Sequence, residues 1–211
     1  MRATACFCIQ IQRGTNLGKA SIQIIHDEHI ALASMLRSID MMVARGPGSD
    51  PQNYFDVMRA MLFYIDEFPE RLHHPKETEL LFPAVARLAP DTREAIARLD
   101  KDHVKGEAAV RELQYFLLAW ELIGESRREV FEAATKRYVA FYLAHMRLEE
   151  TVILPAALKV LSDAEWRDID AAFETNCDPL TGQYPRDPVY DRLFTRIVNL
   201  APAPIGLGEG D

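Results

Sequence analysis

Apolar residues recur at intervals of three and four over long stretches of this chain, and no other feature constrains its fold as strongly. This spacing puts apolar side chains on one face of an α-helix. Four stretches follow it and are separated by short turns: about 19–45, 51–88, 91–124 and 126–161. The sequence therefore predicts an all-α fold, an antiparallel up-down four-helix bundle with a C-terminal helical and irregular extension.

The two ends of the chain lack this period. We expect residues 1–18 to form an irregular arm, in which ACFCIQIQ is a candidate short strand. The bundle covers residues 19–161, and residues 162–211 form the extension, with one helix near 163–175 and a second near 187–199. The sequence leaves open whether residues 176–211 wrap around the bundle or mediate a homodimer.

Three prolines interrupt the second helical stretch, namely Pro69, Pro75 and Pro83. Proline lacks the backbone N–H that a helix interior uses, and its ring clashes with the preceding turn. We therefore expect kinks or a break in this helix around residues 69–75.

The composition excludes several classes of protein. The formal net charge is -8 with no basic patch, which argues against nucleic-acid or membrane-surface binding. No apolar run reaches the roughly 18 residues of a membrane span. The three cysteines are Cys6, Cys8 and Cys177, an odd number without a zinc-type double pair. This usage fits a reducing compartment, so we expect a cytoplasmic protein.

Histidine and glutamate repeat in the two halves of the bundle. In each half, one helix carries a single histidine, and the next carries a histidine followed four residues later by a glutamate. Residues four apart share a helix face, so each pair points at one place. The six candidate metal ligands are His29, His73, Glu77, His103, His145 and Glu149. A lone buried histidine is more often a core residue, but six matched residues would be costly to bury without a cation.

These ligands suit a pair of borderline metal ions such as iron, and zinc or manganese are alternatives. Each metal would take two histidines from one half, while Glu77 and Glu149 bridge the metals. His26 is expected beside the site or at the surface, and His74 at the periphery because it lies about 100° around the helix from His73. Glu107 and Glu150 are expected to face solvent. Tyr142 is the best candidate for a hydroxyl that supports a ligand, but a plain core role is the favoured interpretation.

Four segments resemble the hemerythrin-like, HHE cation-binding domain family over about residues 19–161. They are DEH at 27–29, HHPKETELLFP at 73–83, KDH at 101–103 and HMRLEETVILP at 145–155. The resemblance implies a four-helix bundle with two iron ions bridged by carboxylates and an oxo or hydroxo group. It also implies one of several roles: dioxygen carriage, oxygen or redox sensing, nitric-oxide response, or iron–sulfur repair.

Two positions depart from the invertebrate oxygen carriers of that family. The carriers have a second histidine four residues after the third-helix ligand, where this chain has Glu107. They also have an aspartate five residues after the last histidine, whereas Glu149 follows His145 by four. The pattern is closer to the bacterial type with four histidines and two glutamates.

We therefore expect a nonheme di-iron protein that reacts with or senses dioxygen or nitric oxide. One alternative is a redox protein that repairs iron–sulfur clusters, donates iron, or reduces peroxide or nitric oxide. Another is a non-catalytic metal store or partner-binding bundle. The sequence leaves open whether the protein is an enzyme.

Overall fold

The structure is a computed structural model that describes residues 20–181 and 188–208. Within these ranges all regular secondary structure is helical, apart from one isolated bridge between Pro202 and Gly208. The prediction of an all-α chain is confirmed for this part. The predicted arm at 1–18, including its candidate strand, lies outside the described residues.

The helical elements alternate between α-helix and wider π-helical turns. The α-helices are α1 Ala20–Arg45, α2 Pro51–Ile65, α3 His74–Lys76, α4 Phe82–Leu88, α5 Arg93–Ile123, α6 Arg128–Leu148, α7 Leu154–Val160, α8 Asp163–Phe173 and α9 Asp191–Leu200. The π-helical turns are π1 Asp66–His73, π2 Glu77–Leu81 and π3 Glu149–Ile153. Short 3₁₀ turns cover Pro90–Thr92, Glu125–Arg127, Pro179–Thr181 and Pro188–Tyr190.

Local sequence accounts for the ends of these helices. Gly46 follows α1 with a φ of 71°, in the left-handed region where glycine has no steric penalty. Asp50 caps α2 by accepting a hydrogen bond from the backbone N–H of Asn53 at 3.1 Å. Ser162 and Glu165 form a reciprocal capping box at the start of α8.

The second helical stretch is continuous from residue 51 to residue 88, so of the expected kinks or break, the break is absent. The chain instead widens into π1 around Pro69 and into π2 just before Pro83. A similar turn, π3, precedes Pro155. A π-helical turn bonds each N–H to a carbonyl five residues back, as Phe82 N does with Glu77 O. The helix thereby absorbs the proline rings without stopping.

Four segments form a closed ring of helix contacts. α1 packs against α2 and α6, and α5 packs against the same two helices. This arrangement is a helical bundle, while the antiparallel direction of its four segments stays a prediction.

The interior of the bundle contains two separate apolar clusters. One cluster is built around residues such as Met35, Met58 and Trp120, and the other around residues such as Ile25, Phe82 and Phe173.

The C-terminal extension packs on the bundle of its own chain. α8 lies against α1, and α9 lies against α2 with Phe194 and Ile197 fully buried. The described part of the extension therefore packs on the bundle of its own chain, while a homodimer stays a prediction. None of the described helices is both long and apolar enough to span a bilayer.

Candidate metal centre

The six predicted ligands come together between the two apolar clusters. All six are buried, and none of their residues is more than 8% exposed. α1 supplies His29, α5 supplies His103, and the remaining four come in two pairs at the junctions π1–π2 and α6–π3. Each glutamate is the first residue of a π-helical turn, π2 for Glu77 and π3 for Glu149.

The two glutamates occupy the middle of the site. Glu77 directs its Oε1 to His73 Nε2 at 3.1 Å and its Oε2 to His103 Nε2 at 3.4 Å. Glu149 directs its Oε2 to His29 Nε2 at 3.1 Å and its Oε1 to His145 Nε2 at 3.1 Å. Each carboxylate therefore joins a histidine of the first half of the chain to one of the second half.

The possible ligand atoms form two clusters, each with its atoms within 4.8 Å of one another. One cluster, which we call the two-histidine group, consists of His29, His73, Glu77 and Glu149. The other, the three-histidine group, consists of His74, Glu77, His103 and His145. The histidines divide between the halves as predicted, with one addition.

That addition is His74, whose expected peripheral position is wrong. Its residue is only 4% exposed, and its ring stacks on that of His103 with centroids 4.2 Å apart. The prediction assumed that all ligand side chains converge on one point, and two adjacent helix residues cannot both point there. The centre has two groups side by side, so His73 faces one group and His74 the other.

Outer partners hold the histidines of the two-histidine group by their Nδ1 atoms. His73 Nδ1 lies 2.6 Å from Glu28 Oε2, and His29 Nδ1 lies 3.0 Å from Glu150 Oε1. A carboxylate only accepts, so Nδ1 carries the proton and Nε2 is left to face the centre. Glu150 is exposed, as expected, and it also supports His29.

The three-histidine group has similar partners. His74 Nδ1 lies 3.0 Å from Glu70 Oε2, and His103 Nδ1 lies 2.8 Å from Thr78 Oγ1. Thr78 donates its own hydrogen to Asp100, so its oxygen is free to accept from His103. These contacts fix the imidazole rings in the orientation that a metal ligand requires.

Glu70 is also the acceptor of a buried tyrosine network. Tyr142 donates to Glu70 Oε1, and Tyr138 donates to the same oxygen at 3.3 Å. Burial raises the pKa of Glu70 to about 7, although the tyrosine hydrogen bonds lower it. The network has room because residue 106 is glycine: a Cβ there would overlap Tyr142 Oη and lie 3.0 Å from Glu70 Oε1. Through Glu70, the hydroxyl of Tyr142 is connected to the ring of His74.

Two further sequence expectations concern residues at the edge of the centre. His26 is 3.7 Å from Glu150 Oε1, with its side chain 43% exposed, and it lies outside both ligand clusters. Glu107 pairs with Arg111 and its side chain is 46% exposed. Both residues lie where the sequence placed them.

The charges of the centre balance one another when no metal is bound. Burial lowers the pKa of His29, but the neighbouring carboxylates of Glu149 and Glu150 outweigh this effect and raise the pKa to about 9. The pKa of Glu149 stays well below its usual range despite burial, because His145 and His103 lie beside it. Burial and the neighbouring histidines His103 and His73 hold the pKa of His74 well below its usual value.

Buried atoms without hydrogen-bond partners test whether the site suits a metal. Within the described part of the chain, both oxygens of Glu77 and of Glu149 lack a hydrogen bond, as does Nε2 of His73, His103 and His145. An unsatisfied buried polar atom costs about 1–3 kcal/mol, so a cluster of them is costly. Cations at the two groups would satisfy these atoms, and imidazole with carboxylate suits iron, zinc or manganese.

A small cavity lies beside the two-histidine group. Its volume is about 10 Å³, and His29, His73 and His74 form part of its wall. The rest includes Leu32, Phe68, Pro69, Leu72 and Met146, together with Asn176 and Asp178 from the C-terminal extension. This space is about that of one water molecule. The cavity therefore has room for a very small ligand.

Comparison with known proteins agrees with this geometry. The family model for the hemerythrin HHE cation binding domain matches residues 20–157. No curated protein and no solved structure matches the chain. The matched range contains all six predicted ligands and His74, and it ends before α8. On its sequence pattern and its buried histidine and glutamate clusters, the chain belongs to the hemerythrin HHE cation-binding domain family.

Proposed function

We propose that the chain is a nonheme di-iron protein that reacts with or senses dioxygen or nitric oxide. The observation that carries this proposal is the position of the two glutamates. Each directs one oxygen toward each half of the site, which is the arrangement a carboxylate needs to bridge two cations. A bridging anion reduces the repulsion between two cations held close together.

The ligand set that we propose comprises the six predicted residues and His74. The first metal would be held by His29 and His73, and the second by His74, His103 and His145. His74 would thereby take the place of the third-helix histidine that the oxygen carriers have at the position of Glu107. When bound, two iron ions would supply the redox chemistry and the affinity for a diatomic gas.

The difference between the two groups indicates where the gas would bind. The two-histidine group offers one imidazole fewer, so a metal there has more open coordination positions. The cavity of about 10 Å³ lies against this group. Its small size favours a very small ligand such as a diatomic gas.

Metal analysis together with an optical spectrum tests the proposal. We expect the purified protein to contain two irons per chain. The ferrous protein, kept under argon, should develop visible charge-transfer bands when it is mixed with dioxygen or with nitric oxide. A spectrum that neither gas changes would refute gas binding, and zinc alone at the site would favour a non-catalytic metal store.

A matched pair of variants tests the bridge. Glu77→Gln keeps the shape of the side chain but removes its charge, so we expect loss of bound iron. Glu79→Gln, two residues away on the exposed face, is the control and should keep its iron. Equal iron contents in the two variants would contradict a role for Glu77 as a bridge.

A further inference from the structure

The C-terminal extension returns to the metal centre just after α8. Asn176 and Asp178 are 4% and 3% exposed, and both line the cavity beside His29 and His73. They lie outside residues 20–157, the range that the family model matches. The part of the chain that is additional to the matched domain therefore contributes to the walls of its site.

The contacts of Asn176 fix the orientation of its amide. Lys76 Nζ donates to Asn176 Oδ1, and an ammonium group can only donate. The amide Nδ2 is therefore the atom that faces Glu28, and it donates to Glu28 Oε2 at 2.9 Å. Lys76 also donates to Thr175 Oγ1 at 2.9 Å, so Lys76 contacts two residues of the segment.

Glu28 connects this amide to the centre. Its Oε2 accepts both from Asn176 Nδ2 and from His73 Nδ1, the latter at 2.6 Å, and all three residues are buried. On the far side of the ring, His73 Nε2 lies 3.1 Å from Glu77 Oε1. A hydrogen-bonded chain thus runs from Asn176 through Glu28 to the ligand nitrogen of His73.

We propose that Asn176 is a positioning residue of the two-histidine group and acts through Glu28 on His73. The amide donor holds the Glu28 carboxylate in place, and the carboxylate in turn holds the imidazole with Nε2 directed inward. This inference rests on the proposed function, because it assigns Asn176 a role in metal binding. Residues that orient a ligand in this way affect metal affinity about 10- to 100-fold.

A purely structural role is the competing explanation, because Asn176 also attaches the extension to the bundle. Two control variants separate the explanations. Thr175→Ala removes a contact with the same lysine but leaves Glu28 untouched. Tyr64→Phe removes the bond from Tyr64 Oη to Asp178 Oδ2, at 2.5 Å, which anchors the segment two residues further on.

The test uses Asn176→Asp and Asn176→Ala in the full chain. Asn176→Asp retains the oxygen that faces Lys76 but turns an acceptor toward Glu28, and Asn176→Ala removes the donor without adding a charge. We expect either variant to lower the affinity for the metal that a chelator removes first by about 10- to 100-fold, measured by competition with that chelator. The two controls should remain within about twofold of the wild type.

A second readout does not depend on metal. The nitrogen and proton resonances of the His73 imidazole, recorded on metal-free protein, report which ring nitrogen carries the proton. We expect the Nδ1–H signal of His73 to shift or broaden in the Asn176 variants and to be unchanged in Thr175→Ala.

The outcomes distinguish this inference from the proposed function. Wild-type affinity together with an unchanged His73 signal in Asn176→Ala would overturn the inference, even if the wild type binds two metals. An equal loss of affinity in Tyr64→Phe would also overturn it, in favour of simple docking. A wild type that binds no metal would refute the proposed function, while the metal-free resonances would still test the coupling of Asn176 to His73.

Discussion

Replacing Gly106 by alanine tests whether the network around Glu70 is as tightly packed as its contacts imply. Gly106 lies inside α5, where alanine would ordinarily stabilise the helix by about 1 kcal/mol. Here the new Cβ would lie 2.7 Å from Tyr142 Cζ and would overlap the hydroxyl. Tyr142 is fully buried, so its ring has no solvent into which it can move.

The expected cost follows from the contacts that must change. Overfilling a packed core costs about 1–3 kcal/mol. Loss of the hydrogen bond from Tyr142 to Glu70 adds about 1.5–3 kcal/mol, because one partner is a carboxyl group. After subtraction of the gain in helix propensity, we expect Gly106→Ala to destabilise the metal-free protein by about 1.5–5 kcal/mol. In a chain of this length, that lowers the melting temperature by about 3–20 °C.

Thermal unfolding of metal-free protein, followed by circular dichroism, measures this cost. Ala108→Gly, an exposed change on the same helix, is the control for propensity alone and should cost about 1 kcal/mol. In a Tyr142→Phe background the obstructing hydroxyl is gone, so Gly106→Ala should cost at least about 1 kcal/mol less than in the wild type. A Gly106→Ala protein that melts at or above the wild-type temperature would refute the reasoning.

Three further predictions concern the ligands. His74→Ala should lose about half of the bound metal and His26→Ala almost none; equal contents would remove His74 from the site. The double variant Glu77→Ala/Glu149→Ala should bind no pair of metals, and retention of two irons in elemental analysis would contradict bridging. In metal-free protein, the raised pKa of His29, about 9, contributes stability below pH 6.5 that is lost as the pH rises through 9. Metal binding must displace that proton, so melting curves at pH 6.5 and 9 should show that added metal stabilises more at pH 9.

The spacing of the proposed ligands made most of the centre predictable. Two pairs four residues apart, with single histidines on the preceding helices, identified six residues that the structure buries together, because an α-helix brings such residues to one face. The division of the histidines between the halves also followed from the sequence order. The contact of Tyr142 with Glu70 was not anticipated.

His74 was missed because adjacent residues on a helix point about 100° apart. That argument holds when all ligand side chains converge on one point. It fails when two groups of possible ligands lie side by side, as they do here. The sequence signal nearest to His74 is the group of three prolines, Pro69, Pro75 and Pro83. The structure accommodates them with π-helical turns before and after His74 rather than with a break in the helix. Such turns often occur at functional sites.

Asn176 could not be predicted from its local sequence. It follows the end of α8 in a turn-rich segment, and the residues it contacts, Lys76 and Glu28, lie about 100 and 148 positions away along the chain. No periodic pattern links a loop residue to a distant helix face. Contacts of this kind depend on how the extension packs, which local sequence does not specify.

The placement of the centre between two apolar clusters has a consequence for cooperativity. Every segment of the helical ring passes from one cluster, through the ligand layer, to the other. Without metal, this layer consists of charges and unsatisfied atoms, so the two clusters have little apolar contact to couple their unfolding. Two bound cations would tie all four segments together at this level. We therefore expect metal-free protein to lose hydrogen-exchange protection in two steps and loaded protein to lose it in one, so that metal binding determines how many folding units the chain contains.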